Sequence, residues 1–183
     1  LCEGEESSDK IAKFYYTIAV IYRDELQYDD KAVEYFNKTL DTNVGELRAF
    51  EAIDRILTAS HDWETLERNY LSMIKRVYDD GSEEFNATKR LLWEGLGEIY
   101  RTRLNEWDHA IDAFKKASEL APSDEKLHNI LSELYIRMPD HGEDAIEEIR
   151  TIIELQGERM TPEQERRNYR SLFFLYYNMS QFD

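Results

Sequence analysis

Cysteine is almost missing from this 183-residue chain, with Cys2 the single example. One thiol cannot close an internal disulfide, so nothing in the cysteine usage points to an oxidising compartment, and the expected location is cytoplasmic. Cys2 also lies in a polar segment expected to fray. Proline and glycine are scarce, at three and seven residues, and fall near element boundaries or helix-packing positions, which leaves little room for strands or a long linker. Apolar runs that approach the roughly 20 residues needed to span a bilayer are lacking, and no signal peptide is visible, so membrane insertion is not expected. Positive charge is short as well. The 23 Lys plus Arg face 39 Asp plus Glu, a net charge of −16, which disfavours nucleic acid and anionic membrane as partners of the surface as a whole.

Reactive constellations are equally thin. His61, His109, His128 and His141 are scattered, without the i, i+4 partner of a helical zinc pair. There is no glycine-rich phosphate loop, no Cys-x-x-Cys and no nucleophile elbow. Acidic pairs such as Glu83-Glu84 and Glu147-Glu148 read as solvated helix faces, and His128 reads as a packed core residue. The triplets at Asn37, Asn86 and Asn178 match the glycosylation pattern, which is common by chance. No catalysis, metal or cofactor is expected.

What the chain does have is helical periodicity. Ile11, Phe14, Tyr15, Ile18, Ile21 and Tyr22 recur at three- and four-residue steps, on one helix face. Helix starts are marked by Asn43 with Glu46, Asp140 with Glu143, and Thr161 with Pro162 and Gln164. Stops are marked by Gly81, Pro122, Pro139 and Gly157. The fold class is all-α.

One pattern then recurs along the chain. Trp93, Leu96, Gly97 and Tyr100, followed by Ala110, Phe114, Ala117 and Pro122, form its best copy. A first copy runs through Tyr15, Ile18, Ala19, Tyr22, Ala32 and Phe36, and a second through Phe50, Ile53, Asp54, Leu57, Leu66, Tyr70 and Met73. A fourth uses His128, Leu131, Ser132, Tyr135, Ala145, Ile149 and Ile152, and a fifth opens with Tyr169, Leu172, Phe173 and Tyr176. The order resembles the tetratricopeptide repeat, a helix-turn-helix unit of about 34 residues that stacks into a solenoid.

That resemblance implies a right-handed α-solenoid of antiparallel helix pairs, about four and a half repeats long, in a single domain over 1–183. Two departures stand out. In the first, third and fourth copies the step from the Tyr slot to the Ala slot is one residue longer than usual, which enlarges the inter-helix turn. Asp54 and Phe173 replace the small residue where two helices approach, which should push those helices apart or rotate them. Phe182-Asp183 aligns with Tyr28-Asp29 and Trp107-Asp108, the pairs that precede second helices, so the chain is expected to be a fragment of a longer protein. Helix 162–179 would then leave Tyr169, Leu172, Phe173 and Tyr176 uncovered, for further repeats, for self-association or another chain, or for a fold-back.

The resemblance also implies a protein-binding scaffold or adaptor whose first helices line a concave groove. In this sequence that stripe is Lys13, Tyr16, Val20 and Arg23; Arg48, Glu51, Arg55 and Thr58; Leu91, Glu94, Glu98 and Arg101; Lys126, Asn129, Glu133 and Ile136; Arg167, Arg170, Phe174 and Tyr177. Eight of these positions are basic and four acidic, a local excess of four inside a chain of −16. The expected ligand is therefore a protein or peptide segment carrying acidic residues, held by Arg23, Arg48, Arg55, Arg101, Arg167 and Arg170 with Tyr16, Phe174 and Tyr177 as apolar anchors and Lys13 and Lys126 in the same groove. The competing reading is that these charges pair along their own helices, as Glu51 with Arg55. The Lys, Asn and Arg clamp of family members that hold chaperone tails is not present, since Tyr16, Val20, Ala52, Leu91 and Gly95 stand at its positions. The alternative functions are a regulatory or substrate-recruiting domain of a larger enzyme, and a small-peptide sensor.

Overall fold

The computed structural model describes residues 2–77 and 82–180; Gly81 and the Phe182-Asp183 pair lie outside them. Among the described residues there are nine α-helices and no strand: α1 (Cys2–Asp24), α2 (Asp29–Thr42), α3 (Leu47–Ser60), α4 (Trp63–Arg76), α5 (Glu83–Ile99), α6 (Trp107–Leu120), α7 (Glu125–Arg137), α8 (Gly142–Gln156) and α9 (Pro162–Met179). The N-terminal segment expected to fray is helical from Cys2. Two compact units are present, Leu1–Phe85 and Asn86–Asp183.

In the first unit α1 packs on α2, α2 on α3 and α3 on α4. Connections of two to four residues between consecutive helices leave no alternative to antiparallel neighbours. The core is the repeat pattern itself: Ala19 and Phe36 of the first copy and Ile53, Leu57, Leu66 and Met73 of the second are all buried. Asp54 turns its misfit into a bond, accepting from the Tyr70 hydroxyl across the α3–α4 pair at 3.0 Å. Burial, then the Asp54 charge, pushes the Tyr70 phenol above its ordinary range.

The second unit repeats the scheme. Leu96, Tyr100, Ala110, Phe114 and Ala117 are buried, as are Leu131, Tyr135, Ala145, Ile149 and Ile152. Gly97 shows why its slot wants a small side chain. A Cβ there would stand 2.8 Å from the Phe114 ring, closer than carbon atoms can pack.

The longer steps have a physical form. At the end of α1 the chain widens so that Leu26 N–H reaches the Ile21 carbonyl at 3.1 Å and Tyr28 N–H the Tyr22 carbonyl at 2.9 Å, with Gln27 left-handed at φ 54°. After α5 the same widening is a π-helical turn, Tyr100–Leu104, closed by Asn105 at φ 56° and by Glu106 N–H on the Tyr100 carbonyl at 2.9 Å. The second copy lacks the extra residue and closes one residue tighter, with Asp62 N–H on the Leu57 carbonyl at 3.0 Å after His61 at φ 60°. In the fourth copy a single 3-10 turn, Pro139–His141, occupies the connection.

Two expected helix starts need correction. Asn43 does not cap α3, which begins at Leu47; its side-chain oxygen instead accepts from Gly45 N–H at 2.8 Å and its amide donates to Asp9 at 2.8 Å. Asp140 does not cap α8, because Pro139–His141 winds as a 3-10 turn and the helix starts at Gly142. At Asn43 a side chain bonded within its own turn competes with capping and wins. The Thr161 cap forms as expected. Its hydroxyl accepts from Gln164 N–H at 3.3 Å while Gln164 Oε1 accepts from Thr161 N–H at 2.8 Å.

Candidate protein-binding face

In the first unit the stripe positions of α1 and α3 meet. The Arg48 guanidinium lies 5.2 Å from the centre of the Tyr16 ring, and Tyr16 packs edge-on against buried Phe36 at 5.4 Å. Arg48 donates twice to Glu46, at 2.7 and 3.0 Å. That hydrogen bond, offset in part by burial and helped by the charges of Arg48 and Lys13, holds the Glu46 carboxyl below its ordinary range. Arg23 grips Asp24 at 2.6 and 2.9 Å, with its guanidinium 5.7 Å from the Phe36 ring centre. Arg55 is bound to its own helix: Nε donates to the Glu51 carbonyl at 3.2 Å and the carboxylate stands at 4.0 Å. Both side chains of that pair are well over half exposed, so it contributes little stability. Glu51 and Arg55, with Phe50, Asp54 and Tyr70, line a shallow cleft of about 310 Å³.

In the second unit α5 and α7 are joined through Glu94. Lys126 reaches it at 3.5 Å, and Arg90 bonds both Glu94 and Asp124, the latter at 3.3 Å. Arg101, in the π-turn, makes three bonds to Glu98 at 2.9 to 3.2 Å. The stripe's own acids thus occupy several of its bases.

Helix α9 is different. Arg167 and Arg170 are exposed and meet no carboxylate among the described residues, and Arg170 lies 5.6 Å from the Phe174 ring centre. Phe174 and Tyr177 are 48% and 54% exposed. Tyr169, Phe173 and Tyr176, the residues expected to lack cover, are 53%, 64% and 46% exposed, with Leu172 half-buried.

The pairing of Arg55 and Arg101 was legible as helical spacing, and so was Arg90, which sequence reasoning passed over although it stands four residues before Glu94. The Arg48–Glu46 pair carried no such signal, since Glu46 precedes the helix and has no fixed face. Among the described residues no group of three or more His, Cys, Asp or Glu is placed to hold a metal ion, and no helix is long and apolar enough to cross a membrane.

Sequence profiles of the tetratricopeptide repeat match residues 12–43 and 92–127, the first and third copies. The chain carries tetratricopeptide repeats. The second and fourth copies rest on the burial of most of their pattern residues, whereas those of the fifth are exposed or half-buried. Solved tetratricopeptide proteins share the architecture. The chain is 11% identical to YrrB, described as a TPR protein with an unusual peptide-binding site, with a TM-score of 0.53 over 91% of this chain and 76% of that one. It is 17% identical to MamA, with a TM-score of 0.52 over 92% of this chain and 82% of that one. It is 18% identical to a chain in the structure of Naa15/Naa10 bound to HypK-THB, with a TM-score of 0.57 over 92% of this chain and 23% of that one. These likenesses establish the fold, an α-solenoid of tetratricopeptide helix pairs. No curated protein matches the sequence significantly.

Proposed function

We propose that this chain is a non-catalytic adaptor whose tetratricopeptide first helices hold a protein or peptide segment carrying acidic residues. One observation carries the reading: within a unit, stripe positions of successive first helices come together, Tyr16 with Arg48 and Glu94 with Lys126, so each unit presents a shared face rather than isolated helices. Lys13, Tyr16, Arg23, Arg48 and Arg55 line that face in the first unit, and Arg101, Lys126, Arg167, Arg170, Phe174 and Tyr177 are its counterparts in the second. The guanidiniums already engaged by Asp24, Glu46 and Glu98 are oriented donors, and a ligand carboxylate exchanges with an exposed intramolecular one at small net cost. The peptide-binding site named for YrrB is consistent with this use of the fold. Residues 1–183 act in this reading as one domain, and the single cysteine fits a cytoplasmic setting.

The test is a titration of the chain with a labelled Glu-rich, Leu-containing peptide, beside an Arg48→Glu, Arg55→Glu variant. The variant is expected to bind about tenfold more weakly, roughly 1.4 kcal/mol, and with a shallower dependence on salt. Unchanged affinity and salt dependence would remove the first-unit stripe from the site.

A further inference from the structure

The free face of α9 combines two things that occur together nowhere else on the described surface: a row of exposed aromatic rings and arginines without a carboxylate. Tyr169, Phe173 and Tyr176 follow one another at steps of four and three, and Arg166, Arg170 and Tyr177 at steps of four and seven. At 100° per residue these two rows are adjacent and span about a third of the helix circumference, and Phe174 and Arg167 extend the arc to about half. Arg166 donates its Nε to the Pro162 carbonyl at 3.2 Å and makes no ion pair with a carboxylate among the described residues. Arg170 lies over Phe174, and Phe173 stacks on Tyr177 at 6.3 Å.

The opposite side of α9 is fastened down. Asn168 is 4% exposed and donates to Gln156 at 3.3 Å, so α8 holds that side in place, and at the edge of the free face Arg150 of α8 donates to the Tyr176 hydroxyl at 2.6 Å. The free face is therefore presented in one orientation, and little ordering entropy remains to be lost on binding. Aromatic rings and arginine are the residues that dominate binding energy at protein interfaces.

We infer that this face of α9 docks an amphipathic helix of a partner protein whose apolar stripe is flanked by aspartate or glutamate. The inference rests on the reading of the chain as a protein-binding module and names the surface and partner chemistry for it. Charge decides the occupant. Arg166, Arg167 and Arg170 make no ion pair among the described residues, and although Glu163 opens the same arc, this local excess of positive charge in a chain of −16 attracts an acidic segment. A second copy, itself at −16, is repelled as a whole. From Arg166 to Tyr177 the face runs about 16 Å, three turns of helix, long enough to seat an apolar stripe of similar length.

The experiment uses two synthetic 18-residue helical peptides with the same Leu/Phe stripe, one flanked by Glu and one by Lys, titrated into the 183-residue chain by fluorescence anisotropy. The Glu peptide should bind at least tenfold tighter than the Lys peptide. Arg166→Glu with Arg170→Glu should invert that preference, Phe173→Ser should weaken both peptides, and Arg170→Lys should retain most of the Glu-peptide affinity. Circular dichroism of each variant should superpose on the parent, because every substituted side chain is exposed. Equal binding of the two peptides, or none, overturns the inference. If only Arg48→Glu, Arg55→Glu abolishes binding, the adaptor reading stands and the α9 assignment falls. If α9 substitutions alone abolish it, the α9 assignment stands and the first-unit stripe falls. A dimer in sedimentation that Phe173→Ser dissolves would assign the face to a second copy and overturn the partner chosen here.

Discussion

Gly97 is the residue at which pattern and packing coincide most closely. Its missing Cβ is the space that the Phe114 ring occupies, so Gly97→Ala should destabilise the fold by about 1–3 kcal/mol, read as a lower denaturant midpoint, although alanine is the better helix former. His128 holds a Trp slot for another reason. Its Nδ1 faces a Glu148 carboxyl oxygen at 2.6 Å and its Nε2 the Pro122 carbonyl at 2.9 Å, an arrangement that favours the charged ring. Burial lowers its pKa, but bonds from Glu148 and Pro122 and the charges of Glu148 and Asp124 outweigh burial and raise it above the ordinary 6.5. A raised folded pKa contributes stability fully below the unfolded value and loses it as pH rises through the folded one. Glu148, whose pKa burial raises and His128 partly restores, adds a loss in the same direction, beginning from its ordinary 4.5. Stability should therefore decline as pH rises past 6.5, and His128→Gln should flatten that decline. An unchanged slope in urea midpoints measured from pH 6 upward would remove His128 from the account.

At the scale of elements, the ends of helices carry the information. Thr161→Ala should cost about 1 kcal/mol by opening the box with Gln164. The left-handed residues Gln27, His61 and Asn105 bear a backbone strain that glycine lacks, so Gln27→Gly should raise the midpoint by the equivalent of about 0.5–1 kcal/mol. Thermal melts of the two variants, shifting in opposite directions, check both. The one-residue excess between Tyr and Ala slots was visible as spacing, but its resolution into a π-turn after α5 and a 3-10 turn before α8 was not, because both depend on which carbonyls the incoming helix leaves available. The same limit explains the missed cap at Asn43, whose side chain bonds to its own turn and to Asp9 instead of to a helix start, while at Asp140 the 3-10 turn delays the helix to Gly142.

Across the molecule, charge is the property with the widest reach. An acidic chain that pairs Arg23 and Arg48 to Asp24 and Glu46 outside the stripe, beside Arg55 and Arg101 to Glu51 and Glu98 within it, has muted about half of the basic excess counted along that stripe. Raising salt should consequently change the stability of the free protein little, since these pairs are at least partly exposed, while weakening an acidic ligand strongly. A ligand whose affinity ignores ionic strength between 50 and 500 mM, on the order of a threefold change in Debye length, would mark the binding as apolar alone.

The sequence by itself determined the helical class, the repeat and most of its core, because helix period and the Trp, Leu, Gly, Tyr, Ala, Phe order are local properties that survive wherever the helices end up: Ala19, Phe36, Gly97, Phe114 and Ala145 all sit where the pattern puts them. Helical spacing offered Arg101 its partner Glu98, but only the folded structure decided which of the possible pairs form and which charges remain for a partner. Arg48, Arg101, Arg167 and Arg170 are equivalent as letters on a stripe, yet neighbouring carboxylates claim the first two and leave those on α9 unclaimed. Electrostatic pairing falls off within a few ångströms, so it is settled by distances between side chains that helical spacing alone does not specify.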